Sequence, residues 1–262
     1  MSTRHLFLYT LHLADNTLIL AQRNSEWTGH GPVLEQDIAI TNIALDLLGQ
    51  ARNFYQYAAT LYNESSADEK AALEKYIPRL WHTFNRELQE DDLPYLREEH
   101  QYLNVLLAEL PRGDWAFTVL RQFFFSAWQH FFYEELQKSK DSQLAAIAEK
   151  SSKEVAYHLR WSGEWVIRLG DGTAESRRRI KEALATLWMF TGELFQPAVY
   201  EQGNAVPPES LKVQWLQKVE AVFEEAQSWT QSGGKEGRHT EYLGFLLAEM
   251  QYLQRTYPNA TW

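Results

Sequence analysis

The sequence predicts an all-α fold: a four-helix bundle with additional helices packed against it toward the C-terminus. Three observations lead there. No run of residues alternates apolar and polar in the way a half-buried strand requires. Four long stretches, about 6–24, 33–62, 115–138 and 143–169, instead carry apolar side chains at spacings of three and four, the signature of helices turning a face to a core. Between and after them stand Gly, Pro, Asp and Thr at positions where helices begin and end. At 262 residues the chain is near the upper limit for one hydrophobic core, so a single domain over 1–262 is expected.

The first helix, about 6–24, follows Arg4-His5 and begins LFLYTLHL, which has the look of a leader peptide. His12, Asp15 and Asn16 break the apolar run, and no A-x-A-like cleavage site follows, so it reads as part of the fold. Two glycines and a proline make a turn over Asn24–Pro32. The 33–62 helix then carries one row through Val33, Asp37, Ile40, Ala44, Leu47, Ala51, Phe54, Ala58 and Leu61, all but one of them apolar. A second row, through Leu34, Ile38, Leu45, Leu48 and Tyr55, widens the face enough to expect cover on more than one side. Residues 63–92 are charged and contain Pro78. They read as an insertion, with Ala67–Tyr76 and Arg79–Gln89 as surface helices or as one kinked helix.

A helix over 95–110 is expected next, ended by Pro111-Arg112-Gly113. Asp114 then caps 115–138, which is apolar nearly all round and belongs at the centre. Asp141 or Ser142 caps 143–169, which stops at Gly170-Asp171-Gly172. Thr173 opens a helix to Phe195. A link over 203–208 precedes a helix at 209–230, and after SGGKEGRH, Thr240 opens a last helix to Thr256. The 173–257 helices are accessory to the bundle.

Composition narrows the function. A net charge of −10 disfavours a nucleic-acid surface. The absence of cysteine excludes disulfides, thiolate metal sites and a Cys nucleophile, and it is compatible with a cytoplasmic location. No uninterrupted apolar stretch of membrane-spanning length is present, so no membrane partner is expected.

In a helical bundle the first chemistry to test is a dinuclear carboxylate centre, with one Glu on each of two helices and Glu-x-x-His on the other two. Of the histidines, only His239 has a carboxylate three residues before it, and Glu236-x-x-His239 lies in a glycine-rich segment. His158 lies on the buried side of its helix, but Val155 stands three before it and the carboxylate of Glu154 four before. Between Asp114 and Glu134 there is neither Asp nor Glu. Asp46 and Gly49 sit one turn apart in the 33–62 helix, beside Asn42 and Asn53. They form either a solvated strip or a polar network inside the bundle. A second candidate is the loop 233–240, where Lys235, Arg238 and His239 could receive an anion at a helix start. It lacks the P-loop pattern, and no Gly-x-Ser-x-Gly motif occurs.

The segments EWTGHGPVLEQDIAITNIALDLLGQARNFYQYAA, KEVAYHLRWSGEWVIRLGDGT, LWMFTGELF and GGKEGRHTEYLGFLLAEMQYLQR together resemble the C subunits of bacterial phenylacetyl-CoA 1,2-epoxidases. The resemblance covers most of the chain except roughly 63–92. It implies a ferritin-like fold within a multicomponent oxygenase of phenylacetate degradation. In that family a related catalytic A subunit holds the di-iron centre, and a reductase with flavin and an iron–sulfur cluster delivers electrons from NADPH. It further implies that the A subunit's two metal clamps fall here on Asp46 with Gly49 and on Val155 with His158, so each has lost a member. The expected function is a non-catalytic structural subunit that binds the A subunit and other epoxidase subunits, with a homodimer in isolation, no cofactor in this chain and no catalytic residue. The alternative is a ferritin-like oxidase with an unusual metal site of its own, built on Asp46 and His158.

Overall fold

The computed structural model describes residues 2–201, 206–221 and 233–257, and among these no strand occurs. Four long helices form the bundle: α1 (Thr3–Ser25), α2 (Leu34–Glu64), α6 (Trp115–Leu136) and α7 (Ser142–Asp171). Around them lie the shorter α3 (Ala67–Leu73), α4 (Asp92–Leu96), α5 (Leu106–Glu109), α8 (Ala174–Thr191), α9 (Lys212–Glu220), α10 (Glu241–Met250) and α11 (Tyr252–Thr256). The caps sit where the sequence puts them. Asp114 accepts from the Phe117 N–H, Asp141 from those of Gln143 and Leu144, and Thr173 from that of Ser176, each satisfying backbone donors a helix start leaves open.

Cross-helix hydrogen bonds and ring contacts give the topology. Along α1 and α2, Phe7 meets Tyr62 and Asp15 meets Tyr55, so the pair is antiparallel. Along α2 and α7, Asp46 meets His158, Gln50 meets Glu154 and Tyr57 meets Asp141, again antiparallel. Along α1 and α6, Tyr9 meets Phe132 and Trp27 meets Thr118. Helices α2 and α6 therefore run the same way, and a single long crossover must carry the chain back between them. One crossover of this kind is the ferritin-like connection.

That crossover explains two departures from expectation. Residues 95–110 do not form one helix. They make α4, a single 3₁₀ turn at Glu99–Gln101, an extended stretch, and then the four-residue α5. Residues 103–112 lie alongside α1 from His12 to Glu26. That part of α1 rises about 21 Å, whereas the same crossover residues as a helix would rise only about 14 Å. Length forbids the helix that the apolar pattern suggests. Earlier in the crossover, α3 continues into a 3₁₀ turn through Tyr76 as expected. Beyond Pro78, however, only Arg79–Thr83 turn, and residues 84–91 are irregular. Of the 209–230 helix, α9 covers Lys212–Glu220 after a 3₁₀ turn at Pro208–Leu211, and residues 222–230 lie outside the described residues.

The core is centred on α1 and α6. Every residue of α1 from Phe7 to Ala21 is buried, as are Phe123, Phe124, Phe125, Trp128 and Phe132 of α6. On α2 the first row is buried as expected from Ile40 to Ala58, but at its ends Val33 is 53% exposed and Asp37 and Leu61 are half-buried. The second is not covered by the described residues at its N-terminal half: Leu34 is 72%, Ile38 51% and Leu45 59% exposed. No described helix is long and apolar enough to cross a membrane.

Candidate functional site

Where α2, α6 and α7 meet, each helix contributes two polar side chains four residues apart. These are Asp46 and Gln50 from α2, Gln129 and Tyr133 from α6, and Glu154 and His158 from α7. A spacing of four stacks the two on one face. Because α2 and α7 are antiparallel, the pairs meet as rungs. His158 Nε2 lies 3.0 Å from Asp46 Oδ2, and Gln50 Nε2 donates to Glu154 Oε2 at 2.8 Å. The Gln50 carbonyl accepts from Gln129 Nε2 at 2.9 Å and from the Tyr133 hydroxyl at 3.2 Å, and Gln129 Nε2 also reaches that hydroxyl at 3.0 Å. Asp46 combines features of both readings: it bonds the buried His158, while Asn42 and Gly49 beside it face solvent. His158 is fully buried, while Asp46, 36% exposed, marks the outer edge. Burial raises the Glu154 pKa and Asp46 adds to this, against the hydrogen bond from Gln50.

These donors do not fit a di-iron centre. Gly49 offers no ligand atom, and a Cβ there would meet open space. Val155, one turn before His158, is buried and apolar. Asp15, the one carboxylate of α1, accepts from Arg97, the Tyr55 hydroxyl and the Leu103 N–H, and is wholly engaged on the crossover side. Among the described residues no group of three or more His, Cys, Asp or Glu could hold a metal ion. His158 Nδ1, Ser151 Oγ and Gln129 Oε1 are buried without a partner among the described residues. They mix donors and acceptors, a set suited to neutral hydrogen bonding rather than to a divalent cation.

The 233–240 loop meets carboxylates, and they are the chain's own. The N–H groups of Gly233 and Gly234 both donate to Glu193 Oε1 at 2.7 Å, and Leu106 N–H donates to its other oxygen at 2.7 Å. Lys235 is buried and its ammonium lies 3.0 Å from Glu201. His239 places Nδ1 2.7 Å from Glu109 Oε2 and Nε2 2.9 Å from the Tyr102 carbonyl. Two acceptors on one ring call for the doubly protonated form. Burial opposes that charge, but Glu109 outweighs it and the His239 pKa is raised. Arg238 alone of the three faces solvent, paired with Glu236 at 2.6 Å. Lys235 and His239 therefore have no free face for an outside anion.

Loop and α1 together enclose the extended crossover. From α1, His12 Nδ1 donates to the Leu103 carbonyl at 2.7 Å, and the Asn16 side chain accepts from Val105 N–H at 2.8 Å. Arg23 Nε donates to the Glu109 carbonyl at 2.8 Å. A buried backbone needs such partners because it has no water to turn to. From the other side Gly234 packs so closely that a Cβ would stand 2.1 Å from the Asn104 carbonyl oxygen. Gly237, at φ +77°, sits against the His100 carbonyl in the same way. His12 holds the tautomer its partners dictate, with Asn16 donating to Nε2 at 3.1 Å. Burial, with Lys235 nearby, lowers its pKa to about 4, so it is a neutral imidazole in the fold.

Sequence reasoning found Asp46 and His158 but missed Gln50, Gln129 and Tyr133, which carry no charge and belong to no motif. It also passed over His12, Asp15 and Asn16 as interruptions of an apolar run. Three adjacent polar interruptions in a helix otherwise destined for the core were the available signal.

Two comparisons bear on this arrangement. The profile of a family described as phenylacetic acid catabolic protein matches residues 1–262. The chain is also similar to the C subunit of 1,2-phenylacetyl-CoA epoxidase from Escherichia coli (strain K12). The two are 44% identical over 265 residues, which cover 97% of this chain and 98% of that protein.

Proposed function

The chain belongs to the family of phenylacetic acid catabolic proteins, and on that premise we propose that it is a non-catalytic subunit of an oxygenase that epoxidises the ring of phenylacetyl-CoA. The observation that carries this reading is at the α2–α7 rungs. The positions a metal clamp would use are filled by Gly49 and Val155, and the remaining imidazole is bonded to Asp46. Ring oxidation by O₂ needs a redox centre, so the di-iron belongs to a related catalytic subunit, with electrons reaching it from NADPH through a flavin and iron–sulfur reductase.

The uncovered row on α2 supports a structural role. Val33, Leu34, Ile38 and Leu45 lie exposed along one side, and Ile167 of the antiparallel α7 is 50% exposed. Contiguous apolar surface of this kind is costly to leave in water and marks association. In the complex this face meets the catalytic subunit, and in isolation it meets a second copy of the chain. Exposed Arg238 is available for a further contact at another edge. This assignment makes the protein a component of a cytoplasmic catabolic complex.

The test is co-expression with the related catalytic subunit, followed by affinity capture and iron analysis. Stoichiometric co-elution is expected, with iron present in the complex and absent from this chain alone. Two iron equivalents bound to the isolated chain would defeat the proposal and restore the reading of a metal site on Asp46 and His158.

A further inference from the structure

The first half of the crossover has no part in the bundle's polar rungs, yet it builds two adjoining cavities, of about 450 and 640 Å³. Both are lined by Arg79, His100 and Gln101. The first adds Arg4 from the start of α1 and Lys75, and the second adds Arg255 from α11. Four separate stretches of chain thus bring basic side chains to one concavity, on a protein whose net charge is −10.

The balance of charge inside it is set by which groups are already paired. Glu74 is engaged by His82 at 2.9 Å, and Glu98 by Arg255 at 3.3 Å. Lys75 lies 4.5 Å over the Tyr76 ring, a contact that leaves its charge in place. Arg4 and Arg79 make no hydrogen bond or ion pair with the described residues. The floor is fixed by Gln101, which is buried. Its amide donates to the carbonyls of Lys75 at 2.9 Å and Ile77 at 3.1 Å and accepts from Glu98 N–H at 2.7 Å. The floor of the groove is therefore fixed, with Arg4, Lys75, Arg79 and His100 exposed around it.

We propose that this groove, between Arg4, Lys75, Arg79 and His100, is a binding site for the phosphate or diphosphate group of a small molecule. Guanidinium forks match phosphate oxygens in pairs, and two unpaired ones lining the same cavity supply donors to such a group. An acidic protein segment offers similar charge, but it needs an extended surface. A concave volume of several hundred cubic ångströms, about half open to solvent, is the scale of a small ligand. The inference stands apart from the assignment as an oxygenase subunit, because the groove shares no residue with the α2–α7 rungs.

Titration of the full chain with inorganic pyrophosphate at low ionic strength tests it. A single saturable site is expected, weakened at least tenfold in the double variant Arg4→Gln/Arg79→Gln and to an intermediate degree in Arg79→Lys, which keeps the charge but loses the fork. The double variant Lys150→Gln/Lys181→Gln removes the same charge from exposed positions elsewhere and should bind as the parent does. Absence of saturable binding, or equal weakening in both double variants, would overturn the proposal. So would a parent chain that ignores pyrophosphate but loses capture of the catalytic subunit when Arg4 and Arg79 are replaced, since the groove would then read a protein.

Discussion

Replacing Asp15 with Asn tests how the crossover is held. Asp15 and Arg97 are both fully buried and joined through two guanidinium nitrogens. The carboxylate also accepts from the Tyr55 hydroxyl at 2.6 Å and Leu103 N–H at 2.8 Å. Arg97 further donates to the carbonyls of Leu93 at 2.6 Å and Gln101 at 2.8 Å. In Asp15→Asn the volume is unchanged, but the guanidinium stays buried without a counter-charge and faces an amide donor. Breaking a buried pair from one side costs about 3–5 kcal/mol, against a total of about 5–15 kcal/mol for an ordinary domain. With a urea m-value of about 3 kcal/mol per molar, the midpoint should fall by about 1–1.7 M. The double variant Asp15→Asn/Arg97→Met should recover much of this, because removing both charges leaves no uncompensated ion. A shift below about 0.3 M in the single variant, or strictly additive losses in the double one, would show that apolar contact holds the crossover and the ion pair is incidental.

Three further outcomes are expected. His12 is neutral in the fold with a pKa near 4, whereas in the unfolded chain it takes up a proton as the pH falls through about 6.5. Its contribution is thus complete above pH 6.5 and is lost by about 3 kcal/mol on descending to pH 4. His239 acts in the opposite sense, its stabilisation being complete below its unfolded pKa and fading as the pH rises through the raised folded value, so comparing denaturation of His12→Gln and parent between pH 4 and 7 isolates the His12 part. Gly234→Ala should lower the melting temperature through its clash with the Asn104 backbone, at a cost of about 2 kcal/mol or more. Gly49→Ala, in open space on a helix, should raise stability by about 0.5–1 kcal/mol, and a reversed order in thermal scans would contradict the packing. Ile38→Lys/Leu45→Lys should leave the monomer's melting curve within about 0.5 kcal/mol of the parent, since both side chains already face water, yet abolish capture of the catalytic subunit. Unchanged capture would move the interface elsewhere.

The four bundle helices were legible because a spacing of three and four is a local property, and their caps because Asp114, Asp141 and Thr173 act on N–H groups two or three residues away. The crossover was not legible. YLNVLLAEL has the composition of a helix, and only the distance it must span along α1 makes it extended. The same limit applied to Lys235, whose partner Glu201 is 34 residues away, and to Gln50, whose three partners come from two other helices. His158 and Asp46 could be paired through the family resemblance. What fills the space around them, a set of neutral amides and a phenol, has no signature in one dimension.

The enclosure of the crossover also orders events in time. Glu109 is fully buried, and its oxygens are taken by Asn104, His239 and the backbone and hydroxyl of Thr240. Glu193 likewise depends on Gly233 and Gly234. During synthesis, α1, α2, α6 and α7 emerge long before those donors exist. The crossover can rest on α1, but two carboxylates at its edge stay wet until residue 240 is clear of the ribosome. Contacts this far apart in sequence close slowly, so sealing the crossover is a late step of folding. A chain interrupted before 233 lacks the donors that allow Glu109 and Glu193 to leave water, and it presents a loosened crossover to proteases in place of a finished subunit.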